Sequence, residues 1–303
     1  MQHVTLAKNG PKVSRLAYGL WRLADDPQGS GPAIVEAKIR ACLAAGITTF
    51  DHADIYGGYT CEGLFGHVLK QQPALRDQMQ IVTKCGINAP GEHRPLARVK
   101  HYDATAAAIE QCVERSLREL GTDRLDLLLI HRPDWLTPAE EAAAGLNRLM
   151  RAGKILHAGV SNFSTHQFDL LNAAMEQPLV TNQIEVSLLQ TKAIYDGTLD
   201  QCERLKLRPM AWSPTAGGRL FDAADAAAAR VRAAVVALSS KYGGAGVDQL
   251  SLAWLLALPS QPVVVIGTNQ INRIASAASA AMIQLDRQDW YGLWTAAAGQ
   301  PVP

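Results

Sequence analysis

The chain reads as an α/β protein, a (β/α)8 TIM barrel with an N-terminal β-hairpin and two extra helices. Three observations predict this. Eight short runs of apolar and β-branched residues alternate with stretches of helical periodicity. The 303 residues, 48% of them hydrophobic, fit one barrel without a linker, so 1–303 is read as a single domain. Polar side chains stand at or just past the ends of successive runs, where a parallel barrel gathers its functional loops. An open doubly wound sheet would carry a Gly-rich fingerprint after its first strand, and AYGLWRL is not G-x-G-x-x-G.

The strands are read in order at Leu16 to Tyr18, Thr48 to Phe50, Ile81 to Thr83, Leu127 to Ile130, Ile155 to Val160, Val180 to Val186, Pro209 to Ala211 and Val263 to Ile266. A helix over Pro32 to Ala45 places Ile34, Ile39, Cys42 and Leu43 on a common face and stops at Gly46. A second, over Thr105 to Leu120, repeats the pattern through Ile109, Cys112, Val113 and Leu117 and stops at Gly121. Others follow at Pro138 to Ala152, Thr165 to Ala174, Leu199 to Leu205 and Ala224 to Tyr242. Val247 to Leu258 and Arg287 to Ala298 are the two helices extra to the repeat. Val4 to Val13 alternates around an Asn9-Gly10 turn and reads as a hairpin plugging the bottom of the barrel.

Composition excludes several partner classes. A net charge of +1 with scattered basic residues gives no field for nucleic acid or an anionic membrane. Met1 to Gly10 lacks an apolar signal segment and no run is long enough to span a bilayer, so a cytoplasmic location is expected. A monomer is the plainer expectation. Five cysteines, Cys42, Cys61, Cys85, Cys112 and Cys202, are widely spaced with no C-x-x-C pair, which argues against a disulfide framework and a structural zinc site.

The functional signal is four side chains at strand ends: Asp51 and Tyr56 in DHADIYGGY, Lys84 in IVTKCG, and His131 in LLLIHRPD. Any one alone reads as a turn former or solvated charge. In order along the chain, these segments together with GVSNF, TNQIEVS and AWSP resemble the aldo-keto reductase family over essentially the whole length. Longer stretches such as DHADIYGGYTCEGLFG and RPMAWSPTAGGRLF resemble a bacterial oxidoreductase branch of it. The resemblance implies a barrel that binds a nicotinamide cofactor without a Rossmann domain and reduces aldehydes or ketones.

The residue chemistry supports that expectation. Reducing a carbonyl requires hydride at carbon and a proton at oxygen, and Tyr56 is the candidate donor. A free phenol, pKa near ~10, is too weak an acid unless a cation stabilises its anion. Lys84 supplies the charge, Asp51 holds the buried ammonium, and His131 donates a hydrogen bond to the carbonyl oxygen. Ser161, Asn162 and Gln183 resemble the family's nicotinamide contacts, and Trp212 offers a face for stacking on the ring. Ser213, Gly217, Gly218, Arg219 and Leu220 form a Gly-rich turn able to approach a pyrophosphate. Gly267 leads into a helix start where Thr268, Asn269, Gln270 and Arg273 resemble the 2′-phosphate contacts. No Asp or Glu is near them in sequence, so NADP(H) is the expected cofactor. Ser276 and Ala277 stand where many members carry a Glu-Asn pair for adenine.

Trp21, Tyr59, Ile87 and Trp135 are read as lining an aromatic mouth for a small-molecule carbonyl substrate, although each also fits a packing role. The long segment INAPGEHRPLARVKHYD after the third strand reads as a lid. Two other functions compete. One is a cofactor-binding regulatory subunit of the same fold with little turnover. The other is a metal-dependent hydrolase using His52, Asp54 and His131, disfavoured because neither H-x-H nor H-E-x-x-H occurs.

Overall fold

The computed structural model describes residues 1–302. The hairpin is β1 (His3–Thr5) paired antiparallel with β2 (Lys12–Ser14), closed by Gly10 N–H donating to Ala7 O at 3.0 Å. Then follow β3 (Leu16–Gly19), α1 (Pro32–Ala44), β4 (Thr49–Asp51), a single turn α2 (Tyr56–Tyr59), α3 (Cys61–Gln71) and β5 (Gln80–Cys85). A short ribbon of β6 (Ile87–Asn88) and β7 (His101–Tyr102) precedes α4 (Ala106–Leu120), β8 (Leu127–Ile130), α5 (Ala139–Arg151), β9 (Ala158–Ser161), α6 (Thr165–Ala174) and β10 (Asn182–Glu185). The chain continues through α7 (Lys192–Tyr195), α8 (Thr198–Arg204), β11 (Met210–Trp212), α9 (Ala226–Ser239), α10 (Val247–Leu256), β12 (Val263–Ile266), α11 (Ile271–Ala280) and α12 (Arg287–Ala298).

Eight strands close a parallel barrel in the order β10-β11-β12-β3-β4-β5-β8-β9. Side chains alternate across each strand, so every second residue points inward. Ala17, Val82, Leu127, Leu129, Met210, Val263 and Val265 fill the interior, while Leu16, Tyr18, Leu128, Ile130, Val264 and Ile266 face the helices. Val4, Leu6 and Val13 of the hairpin join the interior cluster, so the hairpin corks the barrel from below. The same alternation aims the polar residues. Lys84 continues the inward face of Val82, His131 that of Leu127 and Leu129, and Trp212 that of Met210.

Two sequence expectations need correction. The helix α3 between the second and third barrel strands was not foreseen, because Gly63 and Gly66 weaken its helical signal. Gly66 is there for close approach: a Cβ on it would lie 2.0 Å from Glu119 O and 2.6 Å from Leu120 Cα of α4. Of the two helices expected as additions, Arg287–Ala298 is one and Val247–Leu256 is not. α10 lies against β12 and beside α11 in the regular barrel layer, whereas α9 packs on α12 as the added pair. Trp254 and Trp290 then stack at 4.8 Å, each indole N–H donating to the other's carbonyl oxygen. Among the described residues no helix is long and apolar enough to cross a membrane.

Candidate active site

The strand ends converge on a cavity of about 380 Å³ at the C-terminal rim. Gly19, Asp51, His131, Ser161, Gln183, Trp212 and Gly267 line it from seven of the eight strands. Lys84, on the remaining strand, lies just beneath and is fully buried. Its ammonium donates to Asp51 Oδ2 at 2.8 Å, to His52 O at 2.7 Å and to Tyr56 Oη at 3.0 Å. Three partners saturate its three protons. Asp51 Oδ1 accepts from Gln183 Nε2 at 2.7 Å, so both carboxylate oxygens are engaged. The Tyr56 and His131 rings meet edge-on at 6.0 Å, which brings all four predicted side chains together.

Tyr56 is held at the rim by a tight turn. Gly57 and Gly58 have φ of 58° and 62°, and Thr60 N–H returns to Tyr56 O at 3.1 Å. Burial raises the Tyr56 pKa, and the Lys84 charge offsets only part of this. The expected acidifying effect of Lys84 is therefore present but smaller than the opposing effect of burial. Burial also works against the Lys84 ammonium, but Asp51 and Tyr56 more than compensate and its pKa is raised. Burial, then Lys84, Arg132 and Lys100, hold His131 well below the ordinary histidine range, so the imidazole is neutral. His131 Nδ1 is buried without a hydrogen-bond partner.

The amide cluster is internally bonded. Trp212 Nε1 donates to Asn162 Oδ1 at 3.1 Å, and Asn162 Nδ2 to Ser161 Oγ at 2.8 Å. Asn162 and Ser213 both adopt left-handed φ, 61° and 51°, a strained conformation concentrated at this rim. A second cleft of about 830 Å³ adjoins the cavity, sharing Trp21, Arg22, Pro214, Thr215, Ile266 and Gly267. Gly218, Thr268, Asn269, Gln270 and Arg273 line it. An elongated space with a flat indole at one end and a basic helix start at the other fits a dinucleotide.

Several expected residues are placed elsewhere. Arg219 turns outward to Asp225 at 2.8 Å, and Leu220 is packed in the core. Asp25, Asp26 and Asp248 share the second cleft with Arg273, so acidic groups do lie near the predicted basic contacts, brought there by the loop after β3 and the start of α10. Asp26 is paired with Lys38, and Asp248 accepts from Ser276 Oγ at 3.0 Å. Tyr59 and Trp135 do not line the cavity, whereas Trp21 and Ile87 do. Tyr59, at φ 76°, is directed toward the ribbon, and Trp135 packs on Tyr102 at 5.9 Å. The segment expected as a lid is that ribbon, and it contributes Ile87 and Lys100 to the wall. Lys100, Arg132, Ile55 and Arg22 were missed; Arg132 was signalled by its place directly after His131.

Behind the tetrad lies a buried acid network. Asp54 pairs with Arg115 at 2.7 Å, yet burial pushes its pKa up to about 6. Glu62 accepts from Thr83 Oγ1 at 2.6 Å and Ser116 Oγ at 2.9 Å, and burial raises it to about 7. His52 lies edge-on to Phe65 at 4.6 Å and is pushed down to about 3 by burial. Neither His52 nor Asp54 lines the cavity, so the residues of the hydrolase alternative do not converge with His131.

A parallel barrel with a lysine-bonded phenol and a neutral imidazole at its rim is the framework of a barrel oxidoreductase. The chain belongs to the aldo/keto reductase family, whose model matches residues 15–295. It is 49% identical to the 6-dehydroglucose reductase of Agrobacterium fabrum and 43% identical to oxidoreductase YdhF of Escherichia coli, in each case over all of both chains. Among solved structures it resembles the thermostable aldo-keto reductase Tm1743 in complex with the inhibitor epalrestat, with a TM-score of 0.81 and 25% identity. That match covers 98% of this chain and 100% of the other. The glycerol dehydrogenase AKR11B4 of Gluconobacter oxydans shares the fold, with a TM-score of 0.85, 24% identity and coverage of 99% and 97%. The family uses nicotinamide cofactors, and its fold suggests a small-molecule carbonyl substrate.

Proposed function

We propose that the protein is an NADPH-dependent reductase of aldehydes or ketones, with Tyr56 as proton donor. The observation that carries this is the Tyr56 hydroxyl 3.0 Å from an ammonium whose other protons are taken by Asp51 and the His52 carbonyl. When bound, the nicotinamide supplies the hydride. Tyr56 delivers its proton to the carbonyl oxygen, and Lys84 stabilises the phenolate left behind until solvent reprotonates it. His131, kept neutral by its surroundings, donates a hydrogen bond to the same oxygen as negative charge builds there. Trp212, Asn162 and Ser161 supply a flat face and amide-sized polar contacts for the nicotinamide. Gly217, Gly218 and the start of α11 suit the phosphates, and Arg273 in the adjoining cleft favours NADPH.

Relatives named 6-dehydroglucose reductase, at 49% and 40% identity, make a sugar aldehyde the first substrate to assay. Oxidation of NADPH and NADH is followed with 6-dehydroglucose and a panel of simpler aldehydes and ketones. Carbonyl-dependent oxidation, faster with NADPH, is expected. Tight cofactor binding without turnover of any carbonyl would point instead to the regulatory role.

A further inference from the structure

We propose that Lys100 and Arg132 form an anion-recognition pair in the cavity, selecting carbonyl substrates that carry a carboxylate or phosphate beside the reacting group. The inference rests on the reading of this cavity as the carbonyl-reducing site. The cavity presents Arg22, Asp51, Lys100 and Arg132. Asp51 is committed to Lys84, and the Arg22 guanidinium is engaged with Gly217 O at 2.8 Å and lies over the Trp21 ring. Lys100 and Arg132 have no carboxylate within 4.0 Å among the described residues. Glu185 lines a neighbouring groove that Arg132 also borders, and it feels the Arg132 charge, but it is not part of the cavity wall. The substrate space thus carries positive charge that nothing in its wall cancels.

Both cations are brought to the wall by structure. Lys100 ends the ribbon loop, one residue before β7, and the ribbon is pinned from two sides. Tyr59 Oη accepts from Ala89 N at 2.9 Å, and its ring is flanked by the guanidinium groups of Arg94 at 5.1 Å and Arg115 at 5.2 Å. On the other side, Ala104 N donates to Asp134 Oδ2 at 3.0 Å and Tyr102 packs on Trp135. Those last contacts join the ribbon to the loop that carries Arg132. The two cations therefore sit on segments fixed to each other. Both also act on His131, so their field reaches the imidazole that faces the carbonyl oxygen. An anionic group on the substrate finds its complement there, whereas a neutral aldehyde leaves two positive charges unmatched.

The test compares 3-formylbenzoate with its neutral methyl ester, using NADPH, on wild type, Lys100→Glu, Arg132→Met and Arg132→Lys. For wild type the acid is expected to exceed the ester in kcat/KM by about tenfold or more, an advantage that shrinks with added salt. Lys100→Glu and Arg132→Met should each lower that acid-to-ester ratio by about tenfold, mainly through KM of the acid, and Arg132→Lys should restore part of it. Equal use of acid and ester by wild type, or equal losses on both in the variants, overturns the proposal. A rise in KM for NADPH with an unchanged ratio also overturns it, by assigning the cations to the cofactor. In all three outcomes the carbonyl-reductase reading stands. Absence of turnover with either aldehyde would remove that reading and this one with it.

Discussion

Replacing Tyr56 by phenylalanine removes one oxygen from the rim and little else. Lys84 keeps Asp51 Oδ2 at 2.8 Å and His52 O at 2.7 Å, so the ammonium is still held and leaving its third proton unpaired should cost the fold about 1 to 3 kcal/mol. The catalytic loss is much larger. A positioned general acid contributes roughly 10²- to 10⁴-fold, or about 3 to 5 kcal/mol of barrier. The prediction is therefore a collapse of kcat with cofactor affinity retained. Turnover is measured by loss of reduced-nicotinamide absorbance, and cofactor binding by quenching of indole fluorescence, since Trp212 lines the cavity. Because burial raises the Tyr56 pKa, the phenol is protonated through neutral pH, and wild-type reduction should decline only on the alkaline side. Wild-type rates in the variant, or loss of cofactor binding along with turnover, would refute the assignment.

The remaining predictions concern the scaffold. Glu62, raised to about 7 by burial, binds a proton in the folded state that the unfolded chain releases near ~4.3. Its contribution to stability is lost as pH rises between those values, so Glu62→Gln should gain on wild type from pH ~5 to ~8 by on the order of 3 kcal/mol in chemical denaturation. No pH-dependent difference would mean that Glu62 titrates normally. Gly66→Ala forces a methyl against the α4 backbone and should cost about 2 kcal/mol or more, seen as a lower denaturant midpoint. Tyr59→Phe removes the acceptor for Ala89 N, so the ribbon should be cut faster by protease and the aldehyde KM should rise several-fold, about 1 kcal/mol, with kcat little changed.

What could be read from the sequence follows from periodicity. Leu127, Leu129 and His131 share one strand face, as do Val82 and Lys84, so a two-residue repeat in the barrel core also aims the catalytic candidates at the rim. The strand ends therefore gave away the tetrad and the amide cluster. The side chains that were misplaced depend on contacts between distant segments. Tyr59 stands three residues from Tyr56, but its left-handed φ and its bond to Ala89 send it to the ribbon. Asp25 and Asp248 reach the second cleft from segments far from Arg273 in the chain, so a search of neighbouring residues could not find them. The pairing of α9 with α12 was hidden for the same reason, since each buries only a narrow stripe, Ala228, Val231 and Val235 on one and Leu293, Trp294 and Ala297 on the other, and neither pattern names its partner.

The hairpin cork has a consequence for the chemistry above it. Lys84 and Asp51 attract each other strongly because little water reaches them, and the apolar plug of Val4, Leu6 and Val13 keeps the lower barrel dry. Sealing one end also leaves the rim as the side on which the cavity opens. Residues far below the ion pair thereby set how strongly its two charges hold each other.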